Sequence, residues 1–208
     1  MFRDVHGFML VTHKYVSYII HFTAVSRGNR TYFTYLKYLF RSIIQRFTGV
    51  EINIKERKYK FEHCARYSKG YIYECLGSAF WDRKRKGCIK TLANERIKYN
   101  KSYTRVFIIR LNVAYSETIA TYINRSLEDQ IGKKYNALQA IISYFENFFP
   151  SRLKVAFLKK SKIKDFFCSK YAAYPDYKIG KIKELPKTLT PNELASILLN
   201  MGADIIEL

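Results

Sequence analysis

Cys168 stands in the run Phe166-Phe167-Cys168-Ser169-Lys170-Tyr171, where the pattern predicts the first turn of an aromatic, amphipathic helix. A thiol there feels the positive end of the helix dipole, which favours the nucleophilic thiolate. A thiolate nucleophile needs a base, and the chain offers four histidines: His6, His13, His21 and His63. Only His63 has an acidic companion at useful spacing. Phe61 to Tyr67 and Tyr71 to Leu76 predict two short strands joined through Ser68-Lys69-Gly70. A four-residue loop from Tyr67 to Gly70 would pair Arg66 with Tyr71 and set His63 directly opposite Glu74. A register shifted by one residue would put the two on opposite faces, because side chains alternate along a strand. In the productive register Glu74 orients one imidazole nitrogen and the other faces Cys168, the nucleophile–base–orienter arrangement of covalent catalysis. The chemistry requires His63 and Glu74 to share a face turned towards the Cys168 helix.

Each residue also has a plainer reading. Cys168 beside two phenylalanines can be a small buried hydrophobe. His63 can be a satisfied structural histidine, and Glu74 a solvated strand residue or the partner of a nearby arginine. Cys64, Cys75 and Cys88 read as packing residues, and His6, His13 and His21 as structural or exposed.

The elements that must position these groups follow from periodicity and caps. Phe8 to Thr12, Tyr15 to Ala24 and the apolar run Arg105 to Leu111 predict strands. Thr31 to Phe47 has helical spacing and closes at Gly49. Ser116 is an N-cap for a helix carrying Ile119, Ala120, Ile123 and Leu127. A helix from about Asn136 to Phe149 ends before Pro150, and the Cys168 helix follows. Thr190-Pro191-Asn192-Glu193 reads as a capping box with Pro at the first helical position. Leu194, Ile197, Leu198 and Met201 form the buried stripe of that last helix, and Gly202 ends it. The expected class is α+β: helices interleaved with a mainly antiparallel sheet, in one domain over residues 1–208.

At 208 residues, 48% hydrophobic and 16% aromatic, the chain can bury a sizeable core. No stretch approaches the ~18 uncharged apolar residues needed to span a bilayer, and no secretion signal is read. The four cysteines show no zinc-ligand spacing, so neither a metal nor another cofactor is expected, and reduced thiols fit a cytoplasmic or virion-associated setting. The Lys-, Ile-, Tyr- and Asn-rich composition is that of an AT-rich genome, as in some viruses. With 37 Lys and Arg against 17 Asp and Glu, the net charge of +20 favours polyanionic partners such as nucleic acid, anionic lipid or cell-wall polymer. The basic residues are dispersed, with short clusters at Arg83-Lys84-Arg85-Lys86 and Lys159-Lys160-Ser161-Lys162; a generally basic solvated surface is the alternative. Trp81, before the first cluster, could sit at a groove edge.

The order of these segments resembles the circularly permuted, NlpC-like branch of the papain-fold cysteine hydrolases. Phe61-Glu62-His63-Cys64-Ala65 is similar to that family's His strand, and Tyr73-Glu74 to the strand ending in an acidic residue. Gly132-Lys133-Lys134-Tyr135-Asn136 resembles its segment before a helix, Cys168-Ser169-Lys170-Tyr171 its Cys-Ser helix start, and Thr190-Pro191-Asn192-Glu193-Leu194 its ending. The residue before His63 is Glu62 where the family has Ser, and the usual Gly-Asp opening is absent. The resemblance spans about Tyr18 to Leu199 and implies a papain-like fold with the sheet first and the Cys helix late. It further implies that Cys168 attacks an amide, ester or thioester carbonyl, that His63 is base and then acid, and that Glu74 orients His63. The Cys168 N–H would help hold the oxyanion, with Tyr135 either lining the cleft or in the core. The substrate would be a peptide, a cell-wall crosslink or an acyl chain. Two other functions remain open: a nucleic-acid or polyanion-binding protein, and an inactive structural or virion component on the same fold.

Overall fold

The computed structural model describes residues 17–24, 52–54, 57–59, 61–77, 87–101, 104–110, 115–136, 139–140, 166–183, 185 and 189–207. The predicted strand at Phe8 to Thr12, the helix at Thr31 to Phe47, most of the helix from Asn136, Trp81, both basic clusters, His6 and His13 lie outside these residues.

The architecture is α+β. Among the described residues eight strands run in chain order: β1 (Ser17–Ala24), β2 (Ile52–Ile54), β3 (Arg57–Tyr59), β4 (Phe61–Ser68), β5 (Tyr71–Leu76), β6 (Gly87–Leu92), β7 (Thr104–Arg110) and β8 (Asp204–Glu207). Six of them form one sheet in the order β6-β5-β4-β1-β7-β8, antiparallel throughout, while β2 and β3 pair separately. Four helices accompany them among the described residues: α1 (Ala93–Lys101) between β6 and β7, α2 (Glu117–Glu128), α3 (Cys168–Lys178) and α4 (Pro191–Asn200).

The chain sets most of these boundaries locally. Ser116 caps α2 by accepting from the Ile119 N–H. Thr190 and Glu193 close a capping box on α4, with Pro191 where a missing N–H costs nothing. Its buried stripe is Pro191, Asn192, Leu194, Ala195 and Leu198; Met201 is 42% exposed rather than buried, because the helix ends at Asn200 before Met201 can turn inward. In α2 the inward face is Ala120, Ile123, Ser126 and Leu127, with Ile119 outside it. The β4–β5 hairpin is tighter than expected. Lys69 and Gly70 both have positive φ (48° and 82°), so two residues make the turn and Ser68, not Arg66, pairs with the β4 side of Tyr71. The correction moves the register by two residues, so it keeps His63 and Glu74 on the same parity, but the face they share is the one α1 covers, with Ala65 and Ile72, and not, as expected, the face turned towards the Cys168 helix.

Two layers of helix enclose the sheet. On one face α1 lays Ala93 and Ile97 on Ala65, Ile72, Val106 and Ile108. Its first N–H donates to the Gly70 carbonyl at 3.0 Å, tying it to the hairpin turn. On the other face α3 and α4 pack on Phe61, Cys64, Phe107 and Ile109, and α2 with α3 covers Tyr73, Cys75 and Cys88. Helix α3 is therefore sandwiched rather than amphipathic: its first nine residues, Cys168 to Asp176, are all buried. Ala172 and Ala173 let its backbone approach the sheet.

Polar ties fix its register. The Arg66 guanidinium on β4 grips both oxygens of Asp176 and reaches the Ala172 carbonyl. Tyr171 donates to the Leu127 carbonyl of α2 at 2.8 Å, and Ser169 to the Leu189 carbonyl before α4. Arg66 and Asp176 are both fully enclosed, and breaking a buried pair leaves an uncompensated charge. Either Arg66→Met or Asp176→Asn should lower the unfolding free energy by about 3–5 kcal/mol in urea titrations. The double variant Arg66→Met/Asp176→Leu should recover much of that loss. Single variants as stable as the parent would show that another contact fixes α3.

Candidate active site

The site forms where β4 and β5 part. Their ladder runs from Ser68↔Tyr71 through Tyr67↔Ile72 to Arg66↔Tyr73 and stops, although both strands continue. On the far side of β4, Phe22↔His63 is followed by Thr23↔Phe61, so Glu62 is the extra residue of a bulge beside His63. A bulge bends its strand and re-aims the neighbouring side chain. The start of α3 lies at this fork: Cys168 is its first residue, and Phe167 at the N-cap supplies no side-chain acceptor to the first-turn N–H groups.

The three predicted residues meet there. His63 Nε2 lies 3.0 Å from Glu74 Oε2, and the same ring is hydrogen-bonded to Cys168. The pairing is diagonal rather than directly across: the two-residue turn carries Glu74 to the level of Ala65, two residues along β4 from His63. His63 is 9% exposed, Cys168 6% and Glu74 1%.

Two further residues complete the cluster. Arg96 of α1 donates Nε to Glu74 Oε1 at 2.6 Å and Nη2 to Oε2 at 2.7 Å, a side-on grip on the whole carboxylate. Cys64, next to His63, gives Cys168 both a side-chain and a backbone hydrogen bond. The first was legible in one respect. Ala93, Arg96 and Ile97 have the i, i+3, i+4 spacing of a buried helical face, and an arginine on such a face needs an anion. Cys64 carries no comparable signal; it packs in the core as its reading has it, and it also touches the candidate nucleophile. Cys75 and Cys88 lie opposite each other on β5 and β6 with sulfurs 3.2 Å apart, and all four cysteines are free thiols. Tyr135 is half-buried against the two core clusters that α3 joins. His21 is in β1, level with Cys64 and Phe107.

The electrostatics follow from these contacts. Hydrogen bonding from Cys64 holds the Cys168 thiol well below its ordinary range; burial opposes this, and His63 adds to it. Burial and the neighbouring Cys168 push Cys64 well above its own, so Cys64 keeps its proton and donates it. Burial alone would lower His63, but its hydrogen bonds to Cys168 and Glu74, with their charges, raise it to about 9. Burial would raise Glu74, yet His63 and Arg96 hold it at about 2. These shifts favour a Cys168 thiolate beside a His63 imidazolium, with the Glu74 carboxylate behind the ring. A thiolate held this way is a strong nucleophile beside a proton donor, as acyl transfer requires.

Among the described residues, no group of three or more His, Cys, Asp or Glu side chains is placed to hold a metal ion. No helix among them is long and apolar enough to cross a membrane. No family model, curated protein or solved structure matches the chain.

A small electrophile such as iodoacetamide should label Cys168 ahead of Cys64, Cys75 and Cys88, and should still do so below the ordinary thiol range. Cys64→Ala removes the largest contribution to the thiolate, so its acid limb should move upward and acid-side labelling slow by roughly tenfold, about one hydrogen bond to a charged group. Mass spectrometry of the labelled peptides reads both, and equal labelling of the four thiols would rule out an activated Cys168. Glu74 has its folded pKa depressed from 4.5 to about 2, so its stabilising contribution is complete above about 4.5 and disappears as pH falls through 2. Glu74→Gln should therefore flatten the fall in melting temperature across that interval.

Proposed function

We propose that this chain is a cysteine hydrolase that cleaves an amide or acyl bond through Cys168, His63 and Glu74. The hydrogen-bonded line from Cys168 through His63 to Glu74 carries the proposal. Its order along the chain supports a permuted, NlpC-like papain arrangement: His63 on one strand, Glu74 on the next, and the cysteine late on a helix start. An antiparallel sheet faced by that helix is compatible with the same reading.

In the reaction the Cys168 thiolate adds to the substrate carbonyl carbon, and the carbonyl π electrons move onto oxygen. The Cys168 N–H donates to that oxyanion, a role supported by its position at a helix start with no side-chain cap. The His63 imidazolium gives its proton to the leaving amine or alkoxide as the C–N or C–O bond breaks, leaving a thioester on Cys168 and a neutral imidazole. Water then attacks the thioester while His63 takes its proton. Collapse of the second oxyanion expels the thiolate and releases a carboxylic acid, and the starting ion pair is restored. Glu74 keeps the ring oriented throughout. The substrates that fit this chemistry are peptides, cell-wall crosslinks and acyl chains.

The test is a panel of peptide amides, cell-wall peptide crosslinks and acyl esters or thioesters, with acid quenching to trap an acyl group on the protein. Cys168→Ala should fold as the parent does and lose both turnover and the trapped thioester. His63→Ala should reduce turnover by roughly 10²–10⁴, the usual contribution of a positioned acid–base group. Turnover that survives in Cys168→Ala would refute the assignment of the nucleophile.

A further inference from the structure

The geometry points to Arg96 as a positioning residue of this site, whose two-point grip on Glu74 holds the carboxylate where it orients His63 towards Cys168. The inference rests on the thiolate–imidazolium reading given above and extends it to a fourth residue.

Three facts lead to it. Glu74 Oε2 accepts from two donors at once, Arg96 Nη2 at 2.7 Å and His63 Nε2 at 3.0 Å, while Oε1 accepts Arg96 Nε at 2.6 Å. The arginine thus fixes the plane of the carboxylate, and the plane fixes the direction from which the imidazole must approach. A glutamate side chain has three rotatable bonds, so without that grip the hydrogen bond that holds its oxygens among the described residues would come from the ring it is meant to orient. Second, Arg96 stands on a separate rigid element. Helix α1 is anchored by Ala93 and Ile97 in the core and by its N–H bond to Gly70, so the grip is referenced to the sheet and not to a side chain alone. Third, the grip is buried, with Arg96 at 6% and Glu74 at 1% exposure, where water cannot substitute for a lost donor.

The proton movements of the reaction give the arrangement a purpose. While His63 is an imidazolium it neutralises Glu74. Once it has given its proton to the leaving group, Glu74 would be a buried anion facing a neutral ring, and it would tend to take up a proton or turn away. Arg96 cannot lose its own proton and so supplies the missing counter-charge at that stage. Among the described residues, the other ionisable groups that act on the cluster are Cys64 on β4, Cys75 on β5 and Cys168 on α3, and none of these is a cation.

The experiment follows alkylation of Cys168 by iodoacetamide against pH in the full chain, with thermal melts to check folding. Arg96→Gln should slow acid-side alkylation by roughly ten- to a hundredfold, as expected for losing hydrogen bonds to a charged group, and move the acid limb upward. Added to Glu74→Gln, the same change should do nothing more, because Arg96 acts through Glu74. An unmoved profile in Arg96→Gln, or effects that simply add in the double variant, would overturn the proposal while leaving the Cys168–His63 reading intact. An ordinary thiol profile in the unsubstituted protein would overturn both. Should Arg96→Gln not fold, Arg96→Lys keeps the charge without the two-point grip, and a smaller shift in the same direction is expected. An unchanged profile in that variant would equally count against the role.

Discussion

A carboxylate as deeply buried as Glu74 has to be answered by donors on more than one side, and that requirement organises the middle of this structure. The desolvation cost of a buried anion amounts to several kcal/mol, more than one hydrogen bond returns. Glu74 meets it with His63 from the adjacent strand and Arg96 from α1. Both donors are charged, so one anion would leave the cluster with a net positive charge. Cys168, whose thiol its neighbours hold well below the ordinary range, completes the balance as a thiolate against His63, and the charges then alternate along the line from the arginine to the sulfur. Buried ionic groups become tolerable when they are paired in this way and their remaining hydrogen-bonding capacity is met.

Such a line of charges needs space that a regular sheet does not provide. A continuous β4–β5 ladder would use the backbone groups of Cys64 for strand pairing and leave no opening for a helix end. The ladder stops at Arg66↔Tyr73, and the bulge at Glu62 lies beyond it, so the backbone of Cys64 is able to donate to the Cys168 sulfur. Immediately below the fork, Arg66 and Asp176 close the structure again and hold α3 to β4. The opened segment and the locked segment are two residues apart on the same strand.

The sequence makes part of this legible, and what it hides has physical causes. Caps are local, so Ser116 and the Thr190–Glu193 box mark helix starts correctly. Face parity survives a two-residue error in the hairpin, which is why His63 and Glu74 stay together although the loop is Lys69-Gly70 and not Tyr67 to Gly70; Cys168, whose helix packs on the other face of the sheet, meets His63 at the fork between β4 and β5, which no parity argument supplies. Met201 fails because periodicity alone does not say where the last turn stops. The pairing of β8 with β7, and the placement of β7 beside β1, depend on contacts far apart in sequence that no local pattern encodes. Of the readings of Glu74, the solvated strand residue fails at 1% exposure, while partner of His63 and partner of an arginine present a choice that the structure does not make. A carboxylate has two oxygens, and here it does both.

Charge conservation is the deeper property of the arrangement. Moving a proton from Cys168 to His63 turns a neutral pair into an ion pair without changing the net charge of the four residues. On the proposed mechanism the later stages keep that balance. The oxyanion replaces the thiolate as the negative group beside the imidazolium. In the thioester stage, sulfur and imidazole are both neutral and Glu74 is left with Arg96 alone. A site of low polarity penalises uncompensated charge far more than displaced charge. A buried cluster that can shift its protons while its total stays at zero therefore avoids the largest electrostatic barrier that its own burial would impose. That favours a fixed, non-titrating cation at the far end of the line over a second histidine or a lysine, because only a charge that never moves can balance Glu74 when His63 does not.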